Sequence, residues 1–294
     1  MSSPDSLVED APAKVNLTLR VLGRRDDGYH ELESLVAFAE CGDALSLRPD
    51  SELSLTMRGP RAEEAGETAD NLVLKAARAL AVRVSTLRLG AFELDKRLPV
   101  AAGLGGGSAD AGAALRLLAR TNGLAADDVR LHNAARATGA DVPVCLDPRP
   151  RVMSGIGQVL SAPLTLPKLP ALLVNPGMAL PTKAVFAGWR PAVAHYDKCD
   201  PALLAKIVSR EDLLQFLAHQ SNDLEFSAIA LKPEITEVLQ ALRALPGRRV
   251  ARMSGSGDTC FALFATAAQA IEAGQILQDK YPQWWVRATA LGGR

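Results

Sequence analysis

The chain has 294 residues, of which 48% are hydrophobic and 22% charged, so it can bury a sizeable core and is not a disordered polymer. Lysine plus arginine and aspartate plus glutamate number 33 each, and this balance argues against a general nucleic-acid or anionic-membrane surface. The four cysteines show no zinc or haem spacing, and the acidic, polar N-terminus does not resemble a signal peptide. We therefore expect a cytoplasmic protein, and its oligomeric state is unknown at this point.

The first predicted element is a strand from Ala13 to Val21, preceded by a loose leader over residues 1–10. Hydrophobic and polar residues alternate through the strand, so Lys14 and Asn16 project together from its polar face. Two interpretations stay open here. The polar face is either the solvated side of an edge strand or a place where two functional side chains meet.

Short strands and one helix are predicted next, after a turn at Arg24–Gly28 that leads into Tyr29 and His30. The predicted strands cover 35–39, 44–48, 53–57 and 86–94, and the helix covers about 71–82. Strands that precede helices without a repeating alternation indicate an α+β layer rather than βαβ units.

A glycine-rich stretch from Leu98 to Asp110, LPVAAGLGGGSAD, lies in the middle of the chain. Four glycines fall within five positions, so the main-chain amides of Gly105, Gly106 and Gly107 can converge on one point. An amphipathic helix is predicted from residue 108 to about 122, and its positive N-terminal end adds to these amides. The stretch therefore predicts a binding site for phosphate or another anion.

The spacing of this stretch excludes three better-known motifs. A Walker A loop ends in Gly-Lys-Ser/Thr, whereas Ser108 follows Gly107 directly, and a Rossmann fingerprint needs a third glycine in place of Ser108. A nucleophile elbow needs a glycine where Asp110 stands. The alternative that remains is a flexible loop before a surface helix.

A single acid, Asp141, follows the next predicted helix, which covers Asp127–Thr138 and ends at Gly139. It precedes a short apolar run. Taken alone, an aspartate in such a place is usually a turn cap.

Proline becomes frequent from residue 163, which indicates a domain junction and divides the chain into 1–163 and 164–294. Around and beyond the junction we predict a hairpin at Ser154–Gly157, strands at 171–175, 249–253, 259–264 and 284–290, and helices between 182 and 218, at 233–245 and at 267–279. Without the extra helices the order is β-α-β-β-α-β, which is typical of a ferredoxin-like domain. A second glycine turn, Ser254–Gly257, joins two of its strands.

These features together suit phosphoryl transfer. The reaction needs backbone donors around the phosphates, a cation such as Lys14 for the developing charge, and a carboxylate such as Asp141 to accept the proton of the acceptor hydroxyl. It requires no histidine, nucleophilic cysteine or metal cage.

Three motifs stand in the order typical of the GHMP kinase superfamily: PAKVNL at 12–17, PVAAGLGGGSA at 99–109 and RMSGSGDTCF at 252–261. Further agreement lies in DGYHEL at 27–32, DNL at 70–72, KRLP at 96–99, GADVP at 139–143 and NDLE at 222–225. The chain resembles this superfamily, and within it the kinases whose small sugar-alcohol substrate carries a cytidine diphosphate group. The resemblance implies a GHMP fold: an N-terminal nucleotide lobe like domain 2 of ribosomal protein S5, and a ferredoxin-like C-terminal lobe.

The resemblance also implies roles for individual residues. Asp141 matches the general base, and Lys14 matches the lysine that keeps it ionised and stabilises the transferring group. ATP binding is implied for Asn71 and Lys96 near the adenine and for Pro99, Gly103, Leu104, Gly105, Gly106, Gly107, Ser108 and Ala109. Substrate binding is implied for Asn16 and Asp141 at the hydroxyl, for Tyr29, His30 and Phe186 at the cytidine, and for Thr182. Ser254, Gly255, Ser256 and Gly257 would close the site next to the phosphates.

ATP and Mg²⁺ are the implied cofactors, although no acidic pair identifies itself as the metal ligand. Asp110 and Asp258 depart from the superfamily's pattern, and both are expected to place negative charge near the phosphates. Ser108-Ala109 also replaces a more usual pair of hydroxyl residues. Two alternatives remain: a sister GHMP kinase acting on homoserine, mevalonate or a sugar, and a catalytically silent member that only binds nucleotide.

Overall fold

The computed structural model describes residues 6–49, 52–178, 180–191 and 198–292. The strands are β1 (Leu7–Asn16), β2 (Arg20–Arg24), β3 (His30–Pro49), β4 (Ser54–Arg58), β5 (Gly90–Asp95), β6 (Arg151–Gly155), β7 (Val159–Leu160), β8 (Leu169–Asn175), β9 (Arg248–Met253), β10 (Cys260–Phe264) and β11 (Trp285–Leu291). The helices are α1 (Leu72–Ala81), α2 (Gly106–Asn122), α3 (Val129–Thr138), α4 (Val142–Leu146), α5 (Thr182–Gly188), α6 (Pro201–Leu204), α7 (Arg210–Ala218), α8 (Glu225–Leu231), α9 (Glu234–Arg243) and α10 (Ala267–Lys280).

The chain folds into two units that are interleaved in sequence. The first unit comprises the described residues within 1–13, 42–100 and 105–148, and the second those within 14–41, 101–104 and 149–294. The boundary predicted at 163/164 stays a prediction.

In the first unit, β5 is the central strand of a small mixed sheet. It pairs antiparallel with the second half of β3 and parallel with β4, so that Leu47 and Leu55 both lie opposite the buried Phe92. The parallel pair requires a crossover, and α1 supplies it. The apolar face of α1, which includes Val73, Ala77 and Leu80, is buried.

The helix that follows the glycine-rich stretch, α2, is largely buried in the first unit. Its small residues permit close packing, because a Cβ on Gly112 would lie 2.5 Å from the carbonyl oxygen of Cys145 in α4. The glycine at this position is therefore explained by the approach of α4. This packing fixes α4, and with it the residue that precedes α4, Asp141.

In the second unit, β8, β9, β10 and β11 form an antiparallel sheet in the order β11-β8-β10-β9. Leu172 lies opposite both Ala262 and Ala288, which fixes the register of three strands. This order is the ferredoxin-like arrangement that the sequence predicts. The predicted hairpin at Ser154–Gly157 is also confirmed, because β6 and β7 pair antiparallel there.

Several predicted boundaries were wrong. The strands expected at 35–39 and 44–48 are one continuous strand, β3, while the strand expected at 13–21 is divided into β1 and β2. The leader prediction fails from Leu7, where β1 begins, and residues 1–5 lie outside the described residues. Helix α8 was not predicted. Among the described residues, no helix has the length and apolar character needed to cross a membrane.

Candidate active site

Lys14 and Asn16 lie together on β1, as the alternation predicted, but they are not solvated. Their exposed fractions are 4% and 5%, and Lys14 Nζ donates a hydrogen bond to Asn16 Oδ1 at 3.0 Å. The interpretation as the solvated face of an edge strand was therefore wrong. An ammonium removed from water requires fixed acceptors, so this face of β1 is a polar site rather than a surface.

The segment Ala101–Leu104 packs directly on the second glycine loop, Ser254–Gly257, within the second unit. A Cβ on Gly103 would lie 2.5 Å from the carbonyl oxygen of Ser254, and a Cβ on Gly257 would lie 2.3 Å from the amide nitrogen of Gly103. Both positions are glycine because backbone packs on backbone there. Gly103 was predicted to hold phosphate, and this packing is a second, independent demand on the same residue.

The hydroxyl of Ser254 links these loops to β1. Its Oγ accepts a hydrogen bond from the Asn16 amide at 3.1 Å and donates one to the carbonyl oxygen of Gly103 at 3.1 Å. The amide of Lys14 in turn donates to the carbonyl oxygen of Leu104 at 2.8 Å. Two hydrogen bonds of the Ser254 hydroxyl and one main-chain hydrogen bond thus hold the two glycine loops and the Lys14 strand together.

Replacing Gly257 by alanine is expected to destabilise the second unit by about 1–3 kcal/mol or more, because the added methyl overlaps backbone that cannot move aside. Its φ is ordinary, so the effect is steric and not one of conformational strain. Thermal unfolding measures the loss. Gly23→Ala is the matched control, because its Cβ would have no neighbour within 4 Å. An unfolding temperature equal to that of the control would contradict the packing argument.

In the first unit, helix α2 begins at Gly106, two residues before the predicted start at residue 108. Gly105 occupies the N-cap position with φ 62°, a left-handed conformation that suits glycine, and no side chain caps the helix. The first amides of an α-helix have no partner within the helix, so they are available to an anion. Ala109 is only 1% exposed and faces the core.

Directly beneath this helix start lies a buried cluster of three charges: Asp43, Lys96 and Asp110. Lys96 Nζ lies 2.5 Å from Asp43 Oδ2 and 2.8 Å from Asp110 Oδ2. A Cβ on Gly106 would meet the Lys96 ammonium at 3.2 Å, which places the cluster against the glycine stretch. Lys96 was predicted near the adenine, and Asp43 was not predicted at all.

The two carboxylates of the cluster are held differently. Asp43 also accepts hydrogen bonds from the amides of Arg97 and Leu98, at 2.6 and 2.8 Å, whereas Oδ1 of Asp110 is buried without a hydrogen-bond partner. Burial, opposed by Lys96 and reinforced by Asp43, raises the pKa of Asp110 to about 7. Burial disfavours the charge on Lys96, but the two carboxylates outweigh it and raise the pKa of Lys96. Asp110 therefore faces Lys96, and its effect on ATP binding stays a prediction.

Asp110→Asn is expected to flatten the pH dependence of stability. The folded pKa of Asp110, about 7, lies above the ordinary 3.8, so the folded protein retains a proton that the unfolded chain releases. The contribution of Asp110 to the free energy of unfolding is therefore fully present at low pH and is lost as the pH rises through 7. Urea unfolding between about pH 5 and pH 8 should show a smaller decline for the variant than for the parent. Parallel curves would contradict this, and the exposed Asp127→Asn serves as control.

Asp141 stands at the N-cap position of α4, yet its side chain makes no capping hydrogen bond. Asp141 therefore does not cap α4, and its role stays a prediction. Asn71, by contrast, does cap α1, because its Oδ1 accepts a hydrogen bond from the Val73 amide at 2.9 Å. Pro99 is buried in the first unit. The pairing of Lys14 with Asp141 stays a prediction.

A groove of about 1260 Å³ in the second unit brings together four residues predicted to bind substrate: Tyr29, His30, Thr182 and Phe186. The His30 ring lies 5.3 Å from the ring of Phe186 and 5.6 Å from that of Trp189, the latter edge to face. Burial, reinforced by Arg24, lowers the pKa of His30, so its imidazole is neutral near pH 7. A neutral imidazole offers both a donor and an acceptor between aromatic faces, which suits a nucleobase.

The second glycine loop borders this groove. Ser256 Oγ donates to Thr182 Oγ1 at 2.9 Å, so two predicted residues are in contact. Asp258 follows the loop, and its carboxylate accepts hydrogen bonds from Asn175 Nδ2 at 2.8 Å and from the Met178 amide at 2.9 Å. Its exposed fraction is 1%, so the expectation that its charge faces the phosphates was wrong.

The sequence analysis missed two side chains of the candidate site, Trp189 and Asp43, for different reasons. Trp189 follows Phe186 by three residues, a helical spacing that places both on one face and that offered a usable signal. Asp43 lies inside β3. The sequence signal at this position was an interruption of the apolar pattern at Gly42-Asp43, which resembles a loop.

Comparison with known proteins defines the class. The family model "GHMP kinases N terminal domain" matches residues 71–147, and "GHMP kinases C terminal" matches 202–283. Homoserine kinase from Cytophaga hutchinsonii shares the fold with a TM-score of 0.72, at 19% identity over 100% of this chain and 98% of that one. The α+β GHMP kinase fold is thereby confirmed.

More similar proteins narrow the class. The 4-diphosphocytidyl-2-C-methyl-D-erythritol kinase of Rhodopseudomonas palustris (strain HaA2) is 55% identical, and the alignment covers 97% of this chain and 98% of the relative. A crystal structure of 4-(cytidine 5'-diphospho)-2C-methyl-D-erythritol kinase has a TM-score of 0.74 at 36% identity, covering 98% of this chain and 100% of that one. The chain belongs to the 4-diphosphocytidyl-2-C-methyl-D-erythritol kinase family of the GHMP kinases.

Proposed function

We propose that this protein transfers the γ-phosphoryl group of ATP to the 2-hydroxyl of 4-diphosphocytidyl-2-C-methyl-D-erythritol, a step of the non-mevalonate route to isoprenoid precursors. The observation that carries the proposal is the 55% identity, over 97% of the chain, to a relative bearing the name of that kinase. The homoserine kinase shares the fold at almost the same TM-score, so fold alone does not select the substrate.

The start of α2 fits the phosphates of ATP. Gly105 leaves the helix without a side-chain cap, so its first amides remain for an anion, and the 17-residue helix adds its dipole. Within the described residues no group of three or more His, Cys, Asp or Glu forms a metal cage. Bound with ATP, Mg²⁺ would coordinate the phosphates and water and would neutralise phosphate charge.

The aromatic groove fits the cytidine end of the substrate. Phe186 offers a ring face for stacking, and the neutral His30 offers a hydrogen-bonding edge. Arg190 and Lys183 also line the groove and suit an anionic group on the same ligand. These chemical features are those of a nucleoside diphosphate.

For the transfer itself we assign Asp141 as general base and Lys14 as the cation that stabilises the transferring phosphoryl group. Asn16 holds the Lys14 ammonium through its amide oxygen and contributes to placing the acceptor hydroxyl. Direct transfer needs no covalent intermediate on the protein, because positioning and charge stabilisation supply the catalysis.

The deciding experiment incubates the protein with ATP, Mg²⁺ and the cytidine substrate, and measures ADP and the 2-phosphate product. Turnover of homoserine, mevalonate or a sugar in preference to this substrate would support a sister kinase instead. Tight ATP binding without transfer to any acceptor would support a silent nucleotide-binding member.

Phe186→Ala is expected to raise KM for the cytidine substrate about tenfold, with little change in KM for ATP, because a stacking face is lost. Steady-state kinetics with each substrate varied in turn measure the effect. Phe226→Ala is the matched control, since Phe226 is 81% exposed on α8 and does not line the groove. Equal effects of the two variants would remove the groove as the cytidine site.

A further inference from the structure

A short series of hydrogen bonds within the second unit leads from Lys14 to a residue that no motif indicated, Ser34. Lys14 Nζ donates to Asn16 Oδ1 at 3.0 Å, and Asn16 Nδ2 donates to Ser34 Oγ at 2.7 Å. Ser34 Oγ then donates to the carbonyl oxygen of Thr18 at 2.5 Å. Ser34 is fully buried in β3, at 0% exposure.

The chemistry of these groups allows only one direction for the series. A carbonyl oxygen only accepts, so the hydroxyl proton of Ser34 is committed to Thr18. Ser34 Oγ can then only accept from Asn16, which must present its NH₂ group there. The amide oxygen of Asn16 consequently faces Lys14, where an ammonium needs an acceptor.

The backbone around the series is held by further bonds. The main-chain amide of Leu35 donates to Thr18 Oγ1 at 2.9 Å, and the main-chain amide of Asn16 donates to Ser254 Oγ at 3.1 Å. The main chain on both sides of the Asn16–Ser34 contact is therefore fixed. The side-chain amide of Asn16 could still rotate, and its hydrogen bond to Ser34 Oγ fixes that rotation.

We propose that Ser34 is a positioning residue for phosphoryl transfer, acting through Asn16 to hold the Lys14 ammonium in place. The proposal rests on the proposed function, because it assumes that Lys14 stabilises the transferring group. Ser34 itself touches neither the ammonium nor any reacting atom. Its contribution is the orientation of the amide that does.

Ser34→Ala is expected to lower kcat about tenfold, with KM for both substrates changed less than twofold, because a mobile Lys14 stabilises the transition state less well. Ser34→Thr keeps a hydroxyl and should recover most of the activity. Ser227→Ala is the control for loss of a buried serine hydroxyl, since Ser227 is 4% exposed on α8. A lower unfolding temperature for Ser34→Ala with kcat unchanged would overturn the proposal in favour of a purely structural role.

A double-mutant cycle with Asn16→Ala tests whether the effect passes through Asn16. If it does, adding Ser34→Ala to Asn16→Ala should change kcat by less than about twofold. Two independent, additive losses would overturn the proposal. Should Ser34→Ala fail to fold, Ser34→Cys fills similar space with a weak acceptor and carries the same expectation.

Exchange of the Asn16 side-chain amide protons, followed by ¹⁵N NMR, tests the inference without turnover. The protons should exchange slowly in the parent protein and at least tenfold faster in Ser34→Ala, because their acceptor is gone. Failure of the parent to phosphorylate the cytidine substrate would refute the proposed function alone. Equal exchange in parent and variant would refute the role of Ser34 alone.

Discussion

Replacing Asp141 by asparagine is expected to lower kcat by about 10²–10⁴-fold, the usual contribution of a positioned general base. The asparagine has nearly the same shape but cannot accept the proton of the substrate hydroxyl. The side chain of Asp141 does not cap α4, so the substitution removes no capping hydrogen bond from that helix. We expect the loss to fall on the chemical step.

Single-turnover kinetics with ATP and the cytidine substrate isolate that step, and equilibrium binding of an ATP analogue checks that the nucleotide site survives. Asp127→Asn, an exposed aspartate of the same unit, is the matched control and should retain full activity. Full turnover by Asp141→Asn would exclude Asp141 as the base. It would leave transfer by positioning and charge stabilisation alone.

Asp43→Asn is expected to destabilise the protein by about 3–5 kcal/mol, the usual cost of removing one partner from a buried ion pair. The carboxylate of Asp43 accepts hydrogen bonds from Lys96 Nζ and from the amides of Arg97 and Leu98. An asparagine must turn its NH₂ group toward one of these donors, which leaves that donor unsatisfied in the core.

Asp110→Asn supplies the comparison for Asp43→Asn, because both substitutions remove one carboxylate charge beside Lys96. Asp110 Oδ2 accepts a hydrogen bond from Lys96, whereas its Oδ1 has no hydrogen-bond partner and its pKa is raised. An asparagine at position 110 should therefore be tolerated better than one at position 43. Urea unfolding near pH 7 should give a clearly smaller loss for Asp110→Asn than for Asp43→Asn. Equal losses would mean that net charge, rather than the hydrogen bonds of Asp43, governs the stability of the cluster.

The features that the sequence predicts well are those with a local cause. Alternation on β1 places Lys14 and Asn16 side by side, and their contact confirms it. Glycines followed by a helical pattern predict the start of α2. The β-α-β-β-α-β order predicts the antiparallel sheet of the second unit.

The features that the sequence does not predict depend on partners far along the chain. Asp43 contacts Lys96 and Asp110, which lie 53 and 67 residues away, and its pattern alone favours a loop. Ser34 gains its role only through Asn16, 18 residues away on another strand. The assigned roles of the glycines, of Asn71 and of Lys96 toward ATP remain predictions.

The packing of Gly103 against Gly257 limits which substitutions the sequence can accept at these two positions. Since this contact is made by main chain alone, no compensating side-chain change is available when either glycine is replaced. Gly107 differs, because a Cβ there would make only an ordinary contact with Leu72 at 3.5 Å. In a saturation library selected for folding, positions 103 and 257 should therefore admit almost no substitution, whereas position 107 should admit alanine. Within the glycine stretch, backbone packing thus fixes Gly103, whereas the structure leaves room for a methyl group at position 107.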